Sequence, residues 1–280
     1  MMLLPAAPGA GLAFRRTDID GAPVIPVRWD RVVDTRLATT LGNEDGVRVA
    51  TVEHLMAALA GCEVDNALIE IDGPEVPVMD GSAAPFVKLI EHVGTVEQRA
   101  RRRAIQVLKE IEVRDDDRSL SIAPHPVLEV SFEIDFESPA IARQTRSAQL
   151  VNGTFKSDIA AARTFGFAED VDALRRAGLA LGGSLDNAIV IRDGRILNKD
   201  GLRYDDEFVR HKILDCIGDL YLAGAPILGR VHGVRSGHAL HHLLLESLFA
   251  DDSAWRLVDA PATDHAHAAA PEEMKLAANG

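Results

Sequence analysis

Apolar and polar positions along this chain repeat with two periods, and the changes of period mark its elements. From Gly11 to Ala50 short apolar runs alternate with turn residues, in GLAFRRTDIDGAPVIPVRWDRVVDTRLATTLGNEDGVRVA. Asp20-Gly21 and Asp45-Gly46 are hairpin signals, so this stretch is expected to be mainly β. The period then lengthens. In TVEHLMAALAG the residues Val52, Leu55, Met56 and Leu59 make an apolar stripe, with Thr51 expected as the N-cap and Gly61 as the C′ residue. NALIEIDG (66–73) reads as a strand ending in a turn, and a second amphipathic helix, capped by Ser82, runs to about Val93.

The pattern then breaks at VEQRARRRAIQVL. Its Arg99, Arg101, Arg102 and Arg103 read as a solvated connector between domains. IQVLKEIEVRDDDRSLSIAP is expected to be a β-hairpin turning at Asp115 to Asp117, and LEVSFEIDFES (128–138) alternates as a half-buried strand should. A helix near Glu169 to Ala177, a glycine turn at Gly182-Gly183 and a hairpin at Asp193-Gly194 follow. DDEFVRHKILDCIGDLYLAG (205–224) and HALHHLLLESLFAD are the last two helices. Beyond Trp255 periodicity is lost, and 259–280 reads as a disordered tail whose His265 and His267 belong to flexible chain rather than to a metal site. Each half therefore reads as strands, helix, strands, helix. The fold class is α+β, with one unit over 1–98 and another of similar layout over 99–258, although no sequence repeat is visible.

Composition adds mainly exclusions. With 280 residues, 47% hydrophobic and 26% charged, the chain has the make-up of an ordinary globular protein. A net charge of −13 argues against non-specific binding to nucleic acid or to an anionic membrane. No apolar run is long enough to span a bilayer. MMLLPAAPGAGLAF lacks a basic start and is interrupted by Pro5 and Pro8, so it does not read as a signal peptide and a cytoplasmic protein is expected. Cys62 and Cys216 are too few and too far apart for a disulfide framework.

The candidate chemistry centres on the helix at 205–224. His211, Asp215 and Asp219 recur every four residues and span an arc of roughly 80° on one face, opposite Val209, Ile213, Leu214, Ile217, Leu220 and Tyr221. On this helix alone a solvated polar face accounts for the stripe. An imidazole and a carboxylate one turn apart can also grip a metal ion, and His54 would complete a His₂Asp set with an open fourth position. Glu53, next to His54 but about 100° around the helix, can meet whatever such an ion holds. Lys212 stands at the edge of the stripe as a cation for phosphate or developing negative charge, Thr164 offers a hydroxyl in ARTFGF, and His238 opens a helix after Gly237. Asp219 is a candidate to keep His238 protonated. Taken singly, each reads as a surface polar residue.

Together TVEHLMAALAG, VMDGSAAPF, ARTFGF, LGGSLDNAIV, EFVRHKILDCIGDLYL and SGHALHHLL resemble the zinc-dependent UDP-3-O-acyl-N-acetylglucosamine deacetylases of lipid A synthesis in Gram-negative bacteria, from about Gly11 to Asp251. The resemblance implies two similar α+β sandwich domains with the active site between them. It implies a zinc ion held by His54, His211 and Asp215, Glu53 as general base, and His238 as general acid oriented by Asp219. Thr164 is implied to polarise the oxyanion, and Lys212 to lie near the diphosphate or oxyanion. Phe165, Val171, Ala180 and Leu185 match or adjoin the insert that forms an acyl-chain passage. The expected partner is the nucleotide-sugar substrate, with no nucleic acid, and the chain is expected to be a monomer. Two departures stand out. Family members carry about thirty further residues ahead of the GLAFRRTDIDG region, so the first strands are expected to be missing, and Ser138 stands where a histidine would precede the proline. The alternatives are a truncated, non-catalytic protein that binds zinc or the UDP-sugar, and another metallohydrolase such as a phosphoesterase.

Overall fold

The computed structural model describes residues 1–151, 153–170 and 182–261. In the first part of the chain, β1 (Met2–Pro5), β2 (Leu12–Arg16), β3 (Val24–Pro26), β4 (Val32–Asp34), β5 (Thr40–Gly42) and β6 (Arg48–Val49) precede helix α1 (Glu53–Gly61). Strand β7 (Ala67–Ile71) and helix α2 (Ala84–Val93) follow. A four-stranded sheet has the order β1-β7-β2-β3, with β7 antiparallel to β1 and parallel to β2. Its alternating inward residues include Leu12, Phe14, Ile69 and Ile71, all buried. β4, β5 and β6 form a separate antiparallel meander. Its second turn is stitched by Asn43, whose side-chain oxygen accepts from the Asp45 and Val47 amides.

The later part carries β8 (Arg103–Val107), β9 (Ile111–Asp115), β10 (Arg118–Pro124), β11 (Glu129–Asp135) and β12 (Arg143–Gln149), then β13 (Phe165–Phe167), β14 (Ile189–Arg192) and β15 (Arg195–Ile196). Helix α3 (Glu207–Leu220), strand β16 (Ile227–Val234), helix α4 (His238–Phe249) and strand β17 (Trp255–Asp259) complete it. In the larger sheet β16 is central: it runs parallel to β11 and β8 and antiparallel to β10. Helix α3 lies on β11 and β12, α4 lies on β9 and β10, and α1 packs along α3. The helices share one continuous apolar core with both main sheets. This is an α+β fold.

Several local expectations are corrected. Met2–Pro5, which has no strand-like alternation, is a strand because the Ala67–Ile71 edge offers it a ladder of backbone partners. Trp255–Asp259 is likewise a strand, paired with β8, rather than the start of a tail. Thr51 does not cap α1: it sits at φ 58°, with its hydroxyl donated to Glu75. Gly61 is the last residue of α1 rather than its C′ glycine, and a Cβ there would lie 2.0 Å from the Phe155 ring. Ser82 lies just ahead of α2, where its hydroxyl oxygen accepts from the Ala84 amide at 3.3 Å. The arginine stretch is mostly exposed, as a solvated connector should be, although Arg102 makes a two-pronged bond to Asp65 and Arg101 bonds Asp259. Ser138 contributes its carbonyl to a turn, accepting from Ile141 and Ala142. The helix expected near Glu169 to Ala177 falls mostly outside the described residues.

Candidate metal centre and its neighbouring histidine pair

The polar stripe of α3 is not solvated. His211, Asp215 and Asp219 are each only 2% exposed, because α1 covers the face that an isolated amphipathic helix would turn to water. Gly218 makes that crossing possible. A Cβ at this position would stand 2.0 Å from the Glu53 carbonyl oxygen, so α1 and α3 meet backbone to backbone there. A mid-helix glycine costs roughly 1 kcal/mol of helix propensity, and here it lets Glu53 and His54 reach the stripe of α3.

His54, His211 and Asp215 converge as a result. Their potential ligand atoms lie within 4.8 Å of one another, with His211 Nε2 at 3.2 Å and His54 Nε2 at 3.6 Å from Asp215 Oδ1. His211 Nδ1 donates to the Ala162 carbonyl at 3.0 Å, which fixes the tautomer and turns the Nε2 lone pair toward Asp215. Burial pushes the His211 imidazole down to about 3, so it is neutral. Burial opposes the charge on His54 too, but the Asp215 and Glu53 carboxylates outweigh it and raise that histidine. Burial would raise Asp215, yet His211, Lys212 and His54 hold it well below the usual carboxylate range. Among the described residues Asp215 Oδ1 is buried without a hydrogen-bond partner. A carboxylate oxygen left unpaired among the described residues and facing two imidazole nitrogens suits a cation. Two nitrogens and one oxygen are a donor set that zinc accepts.

Glu53 is buried beside this set. Its Oε2 accepts the Thr39 amide at 3.0 Å, its Oε1 stands 4.0 Å from His238 Nε2, and burial raises its carboxyl. His238 Nδ1 bonds Asp219 Oδ2 at 2.7 Å, and the other oxygen of Asp219 accepts the Thr39 hydroxyl at 2.6 Å. Burial works against charge on His238, but Asp219, with help from Glu53 and Asp215, holds it up at about 9. Lys212 Nζ lies 3.0 Å from Asp215 Oδ2. It also lines a cavity of about 150 Å³ with Ile134, Asp135, Phe136, Arg235 and Ser236.

Thr164 sits between Ala162 and Phe165, both of which meet the His211 ring. Its amide donates to the Gly81 carbonyl at 2.8 Å. The VMDGS motif holds this loop in place: Arg203 donates to Asp80 and also to the Ala161 carbonyl. Phe165 packs edge-on against Phe208 and Phe136. Leu185 is 48% exposed, while Val171 and Ala180 lie outside the described residues. Reading the sequence missed Thr39 and His241. Nothing marks Thr39 within LATTLG, but His241 stands one turn after His238 in HALHH, a spacing that puts both on one helix face.

Fold and site define the class: an α+β protein with a buried two-histidine, one-carboxylate cluster beside a second histidine pair. The chain belongs to the LpxC family, UDP-3-O-acyl N-acetylglycosamine deacetylase, whose model matches residues 1–250. It is 52% identical over 260 residues to the UDP-3-O-acyl-N-acetylglucosamine deacetylase of Idiomarina loihiensis, covering 92% of this chain and 85% of that one. The proteins of the same name from Acidithiobacillus ferrooxidans and Myxococcus xanthus are 51% and 50% identical, over 92% and 93% of this chain and 85% and 82% of theirs. Among the described residues no helix is long and apolar enough to cross a membrane.

Proposed function

We propose that this chain is a zinc-dependent deacetylase that hydrolyses the acetamide of UDP-3-O-acyl-N-acetylglucosamine, releasing acetate and UDP-3-O-acyl-glucosamine in lipid A biosynthesis. The observation that carries the reading is the buried, unpaired Asp215 oxygen facing His54 and His211, within a chain half identical to relatives of that name. His54, His211 and Asp215 would hold the ion. Bound zinc supplies Lewis acidity, which acidifies water at neutral pH and polarises a carbonyl.

The chain's own groups supply the proton transfers. Glu53, raised by burial and anchored by the Thr39 amide, takes a proton from the attacking water as its oxygen bonds to the acetamide carbon. Thr164 donates to the developing oxyanion. His238, held protonated by Asp219, gives its Nε2 proton to the nitrogen as the C–N bond breaks, so the amine leaves neutral. Lys212 is read as the cation for the diphosphate or the oxyanion, at the cavity it shares with Arg235 and Ser236. Phe165, Val171, Ala180 and Leu185 are read as lining the acyl-chain passage. Residues 1–98 and 99–258 are read as two domains meeting at the site, and the protein as a cytoplasmic monomer.

Metal analysis combined with an assay for released amine tests the reading. Stoichiometric zinc and chelator-sensitive turnover are expected. Zinc bound with no amine released would favour a non-catalytic binding protein instead. His238→Ala is expected to retain its zinc while turnover falls roughly 10²–10⁴-fold, and loss of zinc in that variant would refute the general-acid role.

A further inference from the structure

Asp219 serves two histidines, and only one of them faces the reaction centre. Its Oδ2 receives His238 Nδ1 and His241 Nδ1, each at 2.7 Å, while Oδ1 accepts the Thr39 hydroxyl. His238 and His241 lie one turn apart on α4, their rings edge-on with centroids 5.9 Å apart. Their surroundings differ sharply. His238 points its Nε2 at Glu53, whereas His241 is completely buried, stands edge-on to Phe132, and has a buried Nε2 with no hydrogen-bond partner among the described residues.

That unpartnered nitrogen settles the form of His241. A proton on Nε2 would be a buried donor with no acceptor, on a ring that would then carry charge beside Phe132, and both are costly. His241 is therefore the neutral imidazole with its one proton on Nδ1, and a fixed donor to Asp219. Burial indeed lowers His241, in the sense opposite to His238. A residue needed only to fill the core here would be apolar, since burying a ring nitrogen unpaired brings no packing gain.

We propose that His241 is a positioning residue for the deacetylation, acting through Asp219 to aim His238 and to keep its proton transferable. By occupying one lone pair of Oδ2 with a neutral N–H, His241 fixes the carboxylate plane and leaves His238 the other lone pair in a single geometry. It also draws off part of the acceptor strength of Asp219, so His238 binds its proton less tightly than it would beside an undivided carboxylate. The titratable groups facing His238 are Asp219 and Asp215 from α3, Glu53 and His54 from α1, and His241 from its own helix. None of the others is a neutral donor to Asp219.

The proposal rests on reading His238 as the proton donor, and the test keeps the two apart. Zinc-loaded His241→Leu, His241→Asn and His238→Ala are compared with the unmodified enzyme by kcat, KM, zinc content and pH profile. The Asn amide nitrogen occupies the place of Nδ1 and can donate to Asp219, whereas Leu cannot. His241→Leu is expected to lower kcat about 10–100-fold with KM and zinc unchanged, and to move the basic limb of the profile to higher pH. His241→Asn is expected to recover most of both. Unchanged kcat and pH profile in His241→Leu, or equal loss in the Leu and Asn variants, overturns the role of His241 while leaving a slow His238→Ala and the function standing. A fully active His238→Ala overturns the proton-donor reading itself. Should His241→Leu fail to fold, ¹⁵N-histidine spectra of the unmodified zinc enzyme decide: His241 must stay neutral and Nδ1-protonated while His238 titrates, and titration of His241 in its place overturns the proposal.

Discussion

Two carboxylates one turn apart on α3 meet histidines in opposite ways. Asp215 faces His54 and His211 with an oxygen that no described residue satisfies, while both oxygens of Asp219 are filled by Thr39, His238 and His241. The distances show the same contrast, 3.2 and 3.6 Å around Asp215 against 2.7 Å around Asp219. Similar residue types thus form a site compatible with a cation and a site already closed by hydrogen bonds. Residue inventory cannot separate the two; satisfaction of lone pairs can.

The largest effect that should break this contrast is at the open site. His211→Ala is expected to empty the metal site and take turnover to background, with metal content measured alongside amine release. The same substitution at His241 should leave the metal in place. If His211→Ala kept its metal and activity, Asp215 would be no more a ligand than Asp219.

Asp219→Asn comes next and sharpens the comparison through pH. His238 is held at about 9, above its ordinary 6.5, so on the proposed proton-donor reading its proton is present below that pH and activity should fall as pH rises through about 9. Its contribution to folding stability has the same sign: complete below about 6.5 and lost as pH rises through about 9. Removing the carboxylate charge should draw the basic limb of the rate profile toward neutral pH while zinc stays bound. An unmoved basic limb would take the Asp219–His238 pair out of the profile.

The smallest effect concerns what brings the two sites together. Gly218→Ala puts a methyl against the Glu53 backbone, and overpacking of this kind costs typically 1–3 kcal/mol. A lower Tm is expected, with turnover reduced further than the stability loss explains because Glu53 and His54 both shift. An alanine variant with unaltered Tm and rate would mean that the helices separate there without consequence.

The helices and hairpins were legible wherever a period was strong, as in β11 and α3. The proposed ligands His54, His211 and Asp215 were legible because they stand in recognisable surroundings. What stayed hidden was set by partners distant in sequence. Met2–Pro5 becomes a strand only because β7 offers an edge, and Trp255–Asp259 only because β8 does. Thr39 reaches Asp219 across 180 residues, which no local pattern encodes. The stripe of α3 reads as solvated until α1 lies over it, since amphipathicity says which residues are polar and not what covers them.

The backbone contact at Gly218 has one further consequence. Glu53 and His54 lie on α1, while His211, Asp215 and Asp219 lie on α3, so neither helix alone assembles the full set of proposed ligands and base. On the proposed reading, docking of the two helices is what assembles the catalytic set, and the gap left by a missing methyl is its gauge. A chain whose early and late parts have each folded but not yet met would be inert, so hydrolytic chemistry is withheld until the molecule is whole.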